Sequence, residues 1–402
     1  MNRYSEVENY ILQNWDGTVR SQPVAEGNLL ALPYPFTVPC ITGAFNEMYY
    51  WDTYFTNRGL LLSGRLELAK HNCENIAHMI RTYGYMPNGT RTFYIGRSQP
   101  PYFALMVADV FEKTGDKKWL AEMFEVAQKE YDFWMTKRIA PNGLNRYGSD
   151  YADEYYTEFI MQIAPRIELD SSRDMLEAGR HYVAEAESGW DFNPRFGGYC
   201  LHYNPVDLNS LLYRYECLFA DFAECLDQPS AEWREKAVLR AERMHMMEDP
   251  ETGVMYDYNY VTNCRSEVMS AASFWPYWVG IKTESTGIDA LLKALELPYG
   301  ITATVPTAGN YQWGYGKAWA PLADVVIMAL DSLCLKEDAL RVACKYADMI
   351  TDCFEQTGGL WEKYDAITGE VVQACEYETP QMMGWTAGAF LAAVAYIKRS
   401  KM

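Results

Sequence analysis

Histidine is scarce in this chain, with five residues in 402: His71, His78, His181, His202 and His245. None falls in an H-E-x-x-H or comparable ligand pattern, so the sequence offers no metal site. The same scarcity disfavours a sugar epimerase or isomerase, which would need paired histidine bases; His202 reads as a structural histidine. Positive charge is also short: 35 Lys and Arg face 54 Asp and Glu, for a net charge of -19. That balance excludes nucleic acid and anionic membrane surfaces as partners, because phosphate binding needs concentrated cations. No apolar run approaches the ~18 residues of a membrane span. Residues Met1 to Arg20 lack the apolar core of a signal peptide. The 10 cysteines are scattered without a C-x-x-C pair, which reads as reduced thiols in a cytoplasmic protein. There is no G-x-G-x-x-G, phosphate loop or G-x-S-x-G elbow, so nucleotide cofactors and serine hydrolysis have no support. No cofactor is expected, and nothing in the sequence marks an oligomeric state.

What is present is aromatic. With 49% hydrophobic residues the chain can bury a large core, yet 31 Tyr, 16 Phe and 12 Trp exceed what an ordinary interior takes. Rings with a polar edge suit binding surfaces, including platforms that stack on sugars. Helical periodicity dominates. Helices are predicted over Thr53 to Tyr83 with a break at Gly64, then at Tyr102 to Lys113, Trp119 to Met135, Met175 to Glu185 and Asp207 to Leu226. Further helices follow at Ala231 to Met246, Ser270 to Val279, Asp289 to Leu295, Pro321 to Leu333, Lys336 to Phe354 and Gly384 to Lys398. The Tyr- and acid-rich stretch from Asn142 to Glu158 reads as irregular. A dozen helices with aromatic loops and sparse strand signals imply an all-α fold. Residues 1–402 are expected to form a single catalytic domain, with 1–40 a wrapping segment rich in proline.

One stretch holds the reactive candidate, Ala186-Glu187-Ser188-Gly189-Trp190-Asp191-Phe192-Asn193-Pro194-Arg195. Gly189 and Pro194 break helices on either side, which puts Asp191 on a loop. Burial between Trp190 and Phe192 would raise its pKa, and a nearby Arg195 would lower it.

These pieces fall together with others in one order. Tyr50-Trp51-Asp52-Thr53-Tyr54 resembles the Y-W-D-S-Y signature of trehalases, and Pro87-Asn88-Gly89 through Arg97-Ser98-Gln99-Pro100-Pro101 resembles the family's P-N-G and R-S-Q-P-P stretches. Glu187-Ser188-Gly189-Trp190-Asp191-Phe192 is similar to its E-S-G-W-D-F loop, and Val206-Asp207-Leu208-Asn209 to its V-D-L-N. Gln312-Trp313 with Trp319-Ala320-Pro321 is similar to its second signature, Glu362-Lys363-Tyr364-Asp365 and Glu376-Tyr377 to its closing segment. The resemblance runs collinearly from about residue 40 to 390. It implies family 37 of the glycoside hydrolases, related to family 63: an (α/α)6 barrel, or toroid, with long aromatic loops over the active-site mouth. It implies an inverting hydrolase of a small α-linked glucoside such as trehalose. Asp191 would be the general acid and Glu362 the general base, about 6.5–9.5 Å apart to admit a water. Phe45, Trp51, Asp52, Asn88, Arg97, Gln99, Gly189, Trp190, Gln312, Trp313 and Glu376 would line the sugar pocket, with no metal required.

The chain departs from the family pattern at definite points. Ala44 stands where the first signature has an arginine, and Gly314 where the second has an aspartate. No R-P-R-P-E-S segment is found between Asn145 and Asp170, and the glycine-rich run before Glu376 is gone. These losses imply altered partners for the sugar hydroxyls. The alternatives are therefore a hydrolase of another small glucosyl- or mannosyl-linked glycoside on the same scaffold, or a non-catalytic carbohydrate-binding protein.

Overall fold

A computed structural model of the chain describes residues 3–43, 45–167, 169–170, 172–372 and 381–400. The helical periodicities resolve there into α1 (Ser5–Asn14), α2 (Tyr50–Leu62), α3 (Leu66–Tyr83), α4 (Phe103–Thr114), α5 (Lys117–Lys137), α6 (Asp153–Ile163) and α7 (Met175–Glu187). They continue as α8 (Val206–Cys225), α9 (Ala231–Met244), α10 (Trp275–Val279), α11 (Ile288–Leu295), α12 (Ala320–Ser332), α13 (Lys336–Thr357) and α14 (Gly384–Ser400). Inner and outer helices differ in composition. On α12 nearly every residue from Ala320 to Leu330 is buried, as expected for a helix enclosed on all sides. On α13 one stripe (Ala339, Val342, Ala343, Tyr346, Ala347, Ile350) is buried while Glu337, Arg341 and Glu355 face water.

Six helices form a closed inner ring: α2 packs on α4, α4 on α8, α8 on α10, α10 on α12, α12 on α14, and α14 back on α2. The outer layer contributes α3 against α2 and α4, α5 against α4 and α8, α9 against α8, and α13 against α12 and α14. This is an (α/α)6 barrel. Closure requires backbone contact between its ends. A methyl at Gly388 on α14 would sit 2.0 Å from the Phe55 carbonyl oxygen, and one at Gly59 on α2 would sit 2.7 Å from the Gly388 Cα. Only glycine permits that approach. The N-terminal segment reinforces the seam: Tyr4 lies edge-on to Phe390, Tyr10 to Phe354, and the Lys398 ammonium contacts Glu8 at 2.6 Å.

Between α5 and α8 the chain departs from the ring. The stretch expected to be irregular contains α6, whose Tyr156, Ile160 and Ile163 are buried at i, i+4 and i+7, a helical stripe obscured by its many polar neighbours. α6 packs on α7, and the pair encloses a second small core of Ile160, Ile163, Ala178, Tyr182 and Phe192, separate from the main one. Short antiparallel ladders pin the loops: β1 (Val19–Arg20) on β2 (Phe36–Thr37), β3 (Tyr203–Asn204) on β4 (Tyr258–Asn259) and β4 in turn on β5 (Cys264–Arg265), and β6 (Lys317–Trp319) on β7 (Lys363–Asp365). In the last of these Trp319 pairs with Lys363.

Candidate active site

The N-terminal ends of α2, α12 and α14 converge on one cavity of about 180 Å3. Trp51 and Asp52 open α2, Trp319 precedes α12, and Trp385 lies in the first turn of α14. The start of α2 is capped from the loops carrying the asparagine and arginine candidates. Tyr50 N donates to Asn88 O (3.1 Å), and Trp51 N donates to Gln99 Oε1 (3.1 Å). These are two of the amides that a helix start leaves without partners. Behind the cavity stands a wall of indoles: Trp313 stacks flat on Trp319 at 3.9 Å, with Trp51 at 5.5 Å from Trp313 and Trp385 edge-on to Trp319 at 5.7 Å.

Asp191 enters from the far side, on the loop that follows α7. That loop is fixed at both ends. Asn193 N donates to the buried Glu185 carboxylate (2.8 Å), Asn193 Nδ2 to Trp190 O (2.7 Å), and Trp190 N to Ser188 Oγ (3.1 Å). Trp313 N donates to Phe192 O (3.0 Å), tying the loop to the indole wall. Gly189 has φ of +74°, and a Cβ there would lie 2.9 Å from the Trp51 ring. Both the left-handed backbone and the ring contact call for glycine. The Asp191 side chain keeps 40% of its surface exposed at the mouth, with Arg166 Nη2 3.8 Å from its Oδ2. Glu362 lies deeper, just ahead of β7, with the Lys363 ammonium 3.4 Å from its Oε2 and above the Trp319 ring at 4.7 Å. Trp385 Nε1 donates to the Glu362 carbonyl (3.1 Å).

Asp52 is a strongly perturbed acid. Burial pushes its pKa up to about 8, opposed by a backbone N–H and reinforced by the charges of Glu362 and Asp191. Its proton is therefore held at neutral pH, and three carboxyl groups share the cavity without three negative charges. Glu185, beneath the loop, is raised to about 8 in the same way, chiefly by burial.

Eleven of the residues singled out from the sequence meet at this cavity: Asp191, Glu362, Phe45, Trp51, Asp52, Asn88, Arg97, Gln99, Gly189, Gln312 and Trp313. Trp190 does not line it. Its ring is fully buried, 5.0 Å from Trp313 and under the Arg195 guanidinium at 4.5 Å, so it supports the wall from behind. Arg195 is likewise turned away from Asp191. It is buried between Asp207 and Asp257, each 2.8 Å from Nη2. Glu376 and Ala44 lie outside the described residues. Sequence reading missed Arg166, Tyr49 and Tyr94. Arg166 donates to Gln312 Oε1 (3.0 Å) and lies over the Phe192 ring at 5.0 Å. It stands within the 145–170 stretch that carries no R-P-R-P-E-S, and only Pro165-Arg166 hints at it. Arg97, buried, donates to Tyr155 Oη (3.0 Å) and faces the Tyr94 ring. A larger cavity of about 560 Å3 opens among the C-terminal ends of α2, α4, α12 and α14, but it holds the Arg58–Asp324 ion pair and no tryptophan. Among the described residues no group of His, Cys, Asp and Glu could hold a metal ion, and no helix is long and apolar enough to cross a membrane.

A closed helical toroid whose pocket sets carboxyl groups before an indole wall defines a glycoside hydrolase. The comparisons name the family. The trehalase family model matches residues 3–398, and the chain belongs to that family. Human trehalase is 32% identical over 399 residues, covering 90% of this chain and 67% of its own length. The periplasmic trehalase of Pseudomonas aeruginosa is 32% identical over 421 residues, covering 96% and 76% respectively. Among solved structures, neutral trehalase Nth1 from Saccharomyces cerevisiae superposes with a TM-score of 0.79 at 27% identity, covering 98% of this chain and 80% of the other. A family 63 mannosylglycerate hydrolase from Thermus thermophilus matches at TM-score 0.65 and 16% identity, covering 96% and 99%, which speaks for the fold alone.

Proposed function

We propose that the chain hydrolyses trehalose with inversion, Asp191 acting as general acid and Glu362 as general base. The observation that carries this reading is two carboxyl groups on different structural units, the α7 loop and the start of β7, facing one cavity backed by indoles. In such a pair one acid protonates the glycosidic oxygen while the other carboxylate removes a proton from water attacking the opposite face. The more exposed Asp191 is suited to the departing sugar at the mouth, and the buried Glu362 to a water held inside. Protonated Asp52 can donate a hydrogen bond to a sugar hydroxyl, and Arg97, Arg166, Asn88, Gln99 and Gln312 offer further polar partners. Arg166, beside Gln312 and Asp191, is placed to supply a cation in the stretch where the family's arginine motif is missing. A cavity of about 180 Å3 is below the ~300–1,000 Å3 of most ligand sites, which favours one or two sugar rings over a polymer.

Inversion of one α,α-linked glucose yields one β-glucose and one α-glucose per bond cut. Proton NMR of the first minutes of reaction should show the two anomers in equal amounts, with each of Asp191→Asn and Glu362→Gln lowering kcat by ~10²–10⁴-fold. Initial release of α-glucose alone, or either variant retaining wild-type kcat, would refute the assignment.

We further propose that residues 1–402 act as one catalytic domain, supported by a main core whose members run from Tyr4 to Ile397. We place the protein in the cytoplasm, a reading supported by the buried thiols of Cys40, Cys73, Cys200 and Cys353. Cell fractionation that recovers the activity from a periplasmic or secreted pool would overturn that placement.

A further inference from the structure

Between the C-terminal end of α5, the 146–149 loop and Arg180 of α7 lies a further cavity, of about 300 Å3, whose charge runs against that of the whole protein. Its wall includes Lys137, Arg138, Arg146, Arg180 and His202, and among the described residues no Asp or Glu. Two of these cations are matched elsewhere: Arg138 grips Glu187 through Nε (2.8 Å) and Nη2 (2.9 Å), and Arg180 meets Asp153 at 2.7 Å. Asp150 also adds to the field at Arg138, though it does not line the cavity. Lys137 and Arg146 are different. Among the described residues neither forms an ion pair, and Arg146 Nη1 has only the Tyr147 carbonyl, at 3.1 Å. Gly148 separates the two guanidinium groups, and a Cβ there would lie 3.2 Å from Arg138 Nε and 3.3 Å from Arg146 Nη1. The Arg138 Nη1 edge makes only a 3.4 Å contact to Lys137 O. The local field is felt by the neighbouring imidazoles: His202 is lowered by burial and then by Arg173 and Arg146, against the pull of Glu177.

In a chain of net charge -19, Lys137 and Arg146 stand beside two further cations without acids of their own, and their mutual repulsion is one that a bound anion would relieve. Forked guanidinium donors beside a lysine match a tetrahedral oxyanion. We propose that this cavity binds phosphate, free or as the phosphoryl group of a sugar, between Arg146, Lys137 and the outer edge of Arg138, and that its occupancy is coupled to the sugar pocket. The coupling route is Glu187. Besides Arg138 it accepts from Gly148 N (2.7 Å) on the cavity side and from Ser98 N (2.7 Å), which stands between Arg97 and Gln99 of the sugar pocket. It also lies two residues before Gly189. An anion that draws Arg138 outward loosens this one carboxylate, and with it both walls of the active site.

The test is calorimetric titration of the full chain with potassium phosphate against a chloride control of equal ionic strength. Saturable one-site binding is expected, weakened at least tenfold in Arg146→Ala and less in Arg146→Lys, with melting temperatures in the absence of phosphate unchanged. Heat no different from chloride, or equal binding in wild type and a folded Arg146→Ala, overturns the site. Hexose phosphates titrated in parallel assign the source: tighter binding than inorganic phosphate means a phosphorylated sugar. For the coupling, saturating phosphate should change the KM for trehalose severalfold in wild type and not in Arg146→Ala, and an unchanged KM in both refutes it. Because the titration needs no turnover, it stands apart from the assignment of trehalose as substrate.

Discussion

Replacing Gly189 with alanine tests whether the position of Asp191 is set by the contact between its loop and the indole wall. The added methyl meets two obstacles. Backbone φ of +74° costs an L-residue about 1–2 kcal/mol, and the Cβ would stand 2.9 Å from a Trp51 ring carbon, 3.1 and 3.2 Å from two other ring atoms. Overpacking of that kind costs roughly 1–3 kcal/mol. The ring cannot yield easily, since Trp51 is buried and held by Trp313, Phe55 and Trp385. The loop is therefore what moves, and Asp191 moves with it. A displacement of about 1 Å can reduce turnover ~10²-fold, so kcat should fall by that order. The melting temperature should drop by only a few degrees, because the loop's supporting core is the small one around Phe192. Initial rates with trehalose, read beside thermal melts, give both numbers. A variant with kcat within twofold of wild type and an unchanged melt would refute the claim that this contact positions Asp191.

Two further substitutions probe the frame. Gly388→Ala puts a methyl 2.0 Å from the Phe55 carbonyl oxygen at the seam of the ring; overpacking of roughly 1–3 kcal/mol should lower the melting temperature by about 1–4 °C, and a melt equal to wild type would mean the seam is not close-packed. Asp52→Asn should flatten the dependence of stability on pH. With its folded pKa raised to about 8, Asp52 contributes fully below the ordinary carboxylate range. Its contribution is lost as pH rises towards 8, at no more than about 1.4 kcal/mol per pH unit. Denaturant midpoints at pH 5, 6.5 and 8 should fall more steeply in wild type than in the variant, with residual slope from Glu185 (about 8) and Glu130 (about 7). Parallel curves would show that Asp52 is ionised throughout.

Much of the site could be read from the sequence because its residues fall in short contiguous motifs that resemble those of the trehalase family: Trp51 and Asp52 open α2, and Gly189 and Asp191 follow α7 directly. What could not be read depends on contacts across the chain. Arg166 reaches Gln312, 146 positions away, and no local spacing announces that pairing. Trp190 and Trp313 look equivalent as isolated tryptophans beside polar residues. Only the packing of Arg195 over one face decides that Trp190 is support and Trp313 is surface. α6 was hidden because its buried stripe is three residues wide among acids and tyrosines, too narrow to stand out by composition.

The two halves of the site rest on different foundations, and this bears on how the family's chemistry tolerates change. Glu362, Trp319 and Trp385 stand on β6, β7 and the inner helices, within the main core. Asp191 hangs from the α6–α7 hairpin, which has its own five-residue core and meets the barrel through Gly189 on Trp51, the Trp313–Phe192 hydrogen bond and the bonds of Glu187 to Arg138 and Ser98. Arg166, over the Phe192 ring, belongs to the same hairpin unit. A water-activating carboxylate needs a fixed floor, whereas an acid must follow the oxygen of whatever group departs. With Asp191 as the proposed acid, its place beside Arg166 on a satellite unit would let the leaving-group side vary in sequence while the barrel side stays constrained by closure of the ring. The departures from the family pattern over α6 and Pro165-Arg166 fall on that satellite, where the fold can absorb them without disturbing the indole wall, whereas Asn145 and Tyr147 are packed into the barrel.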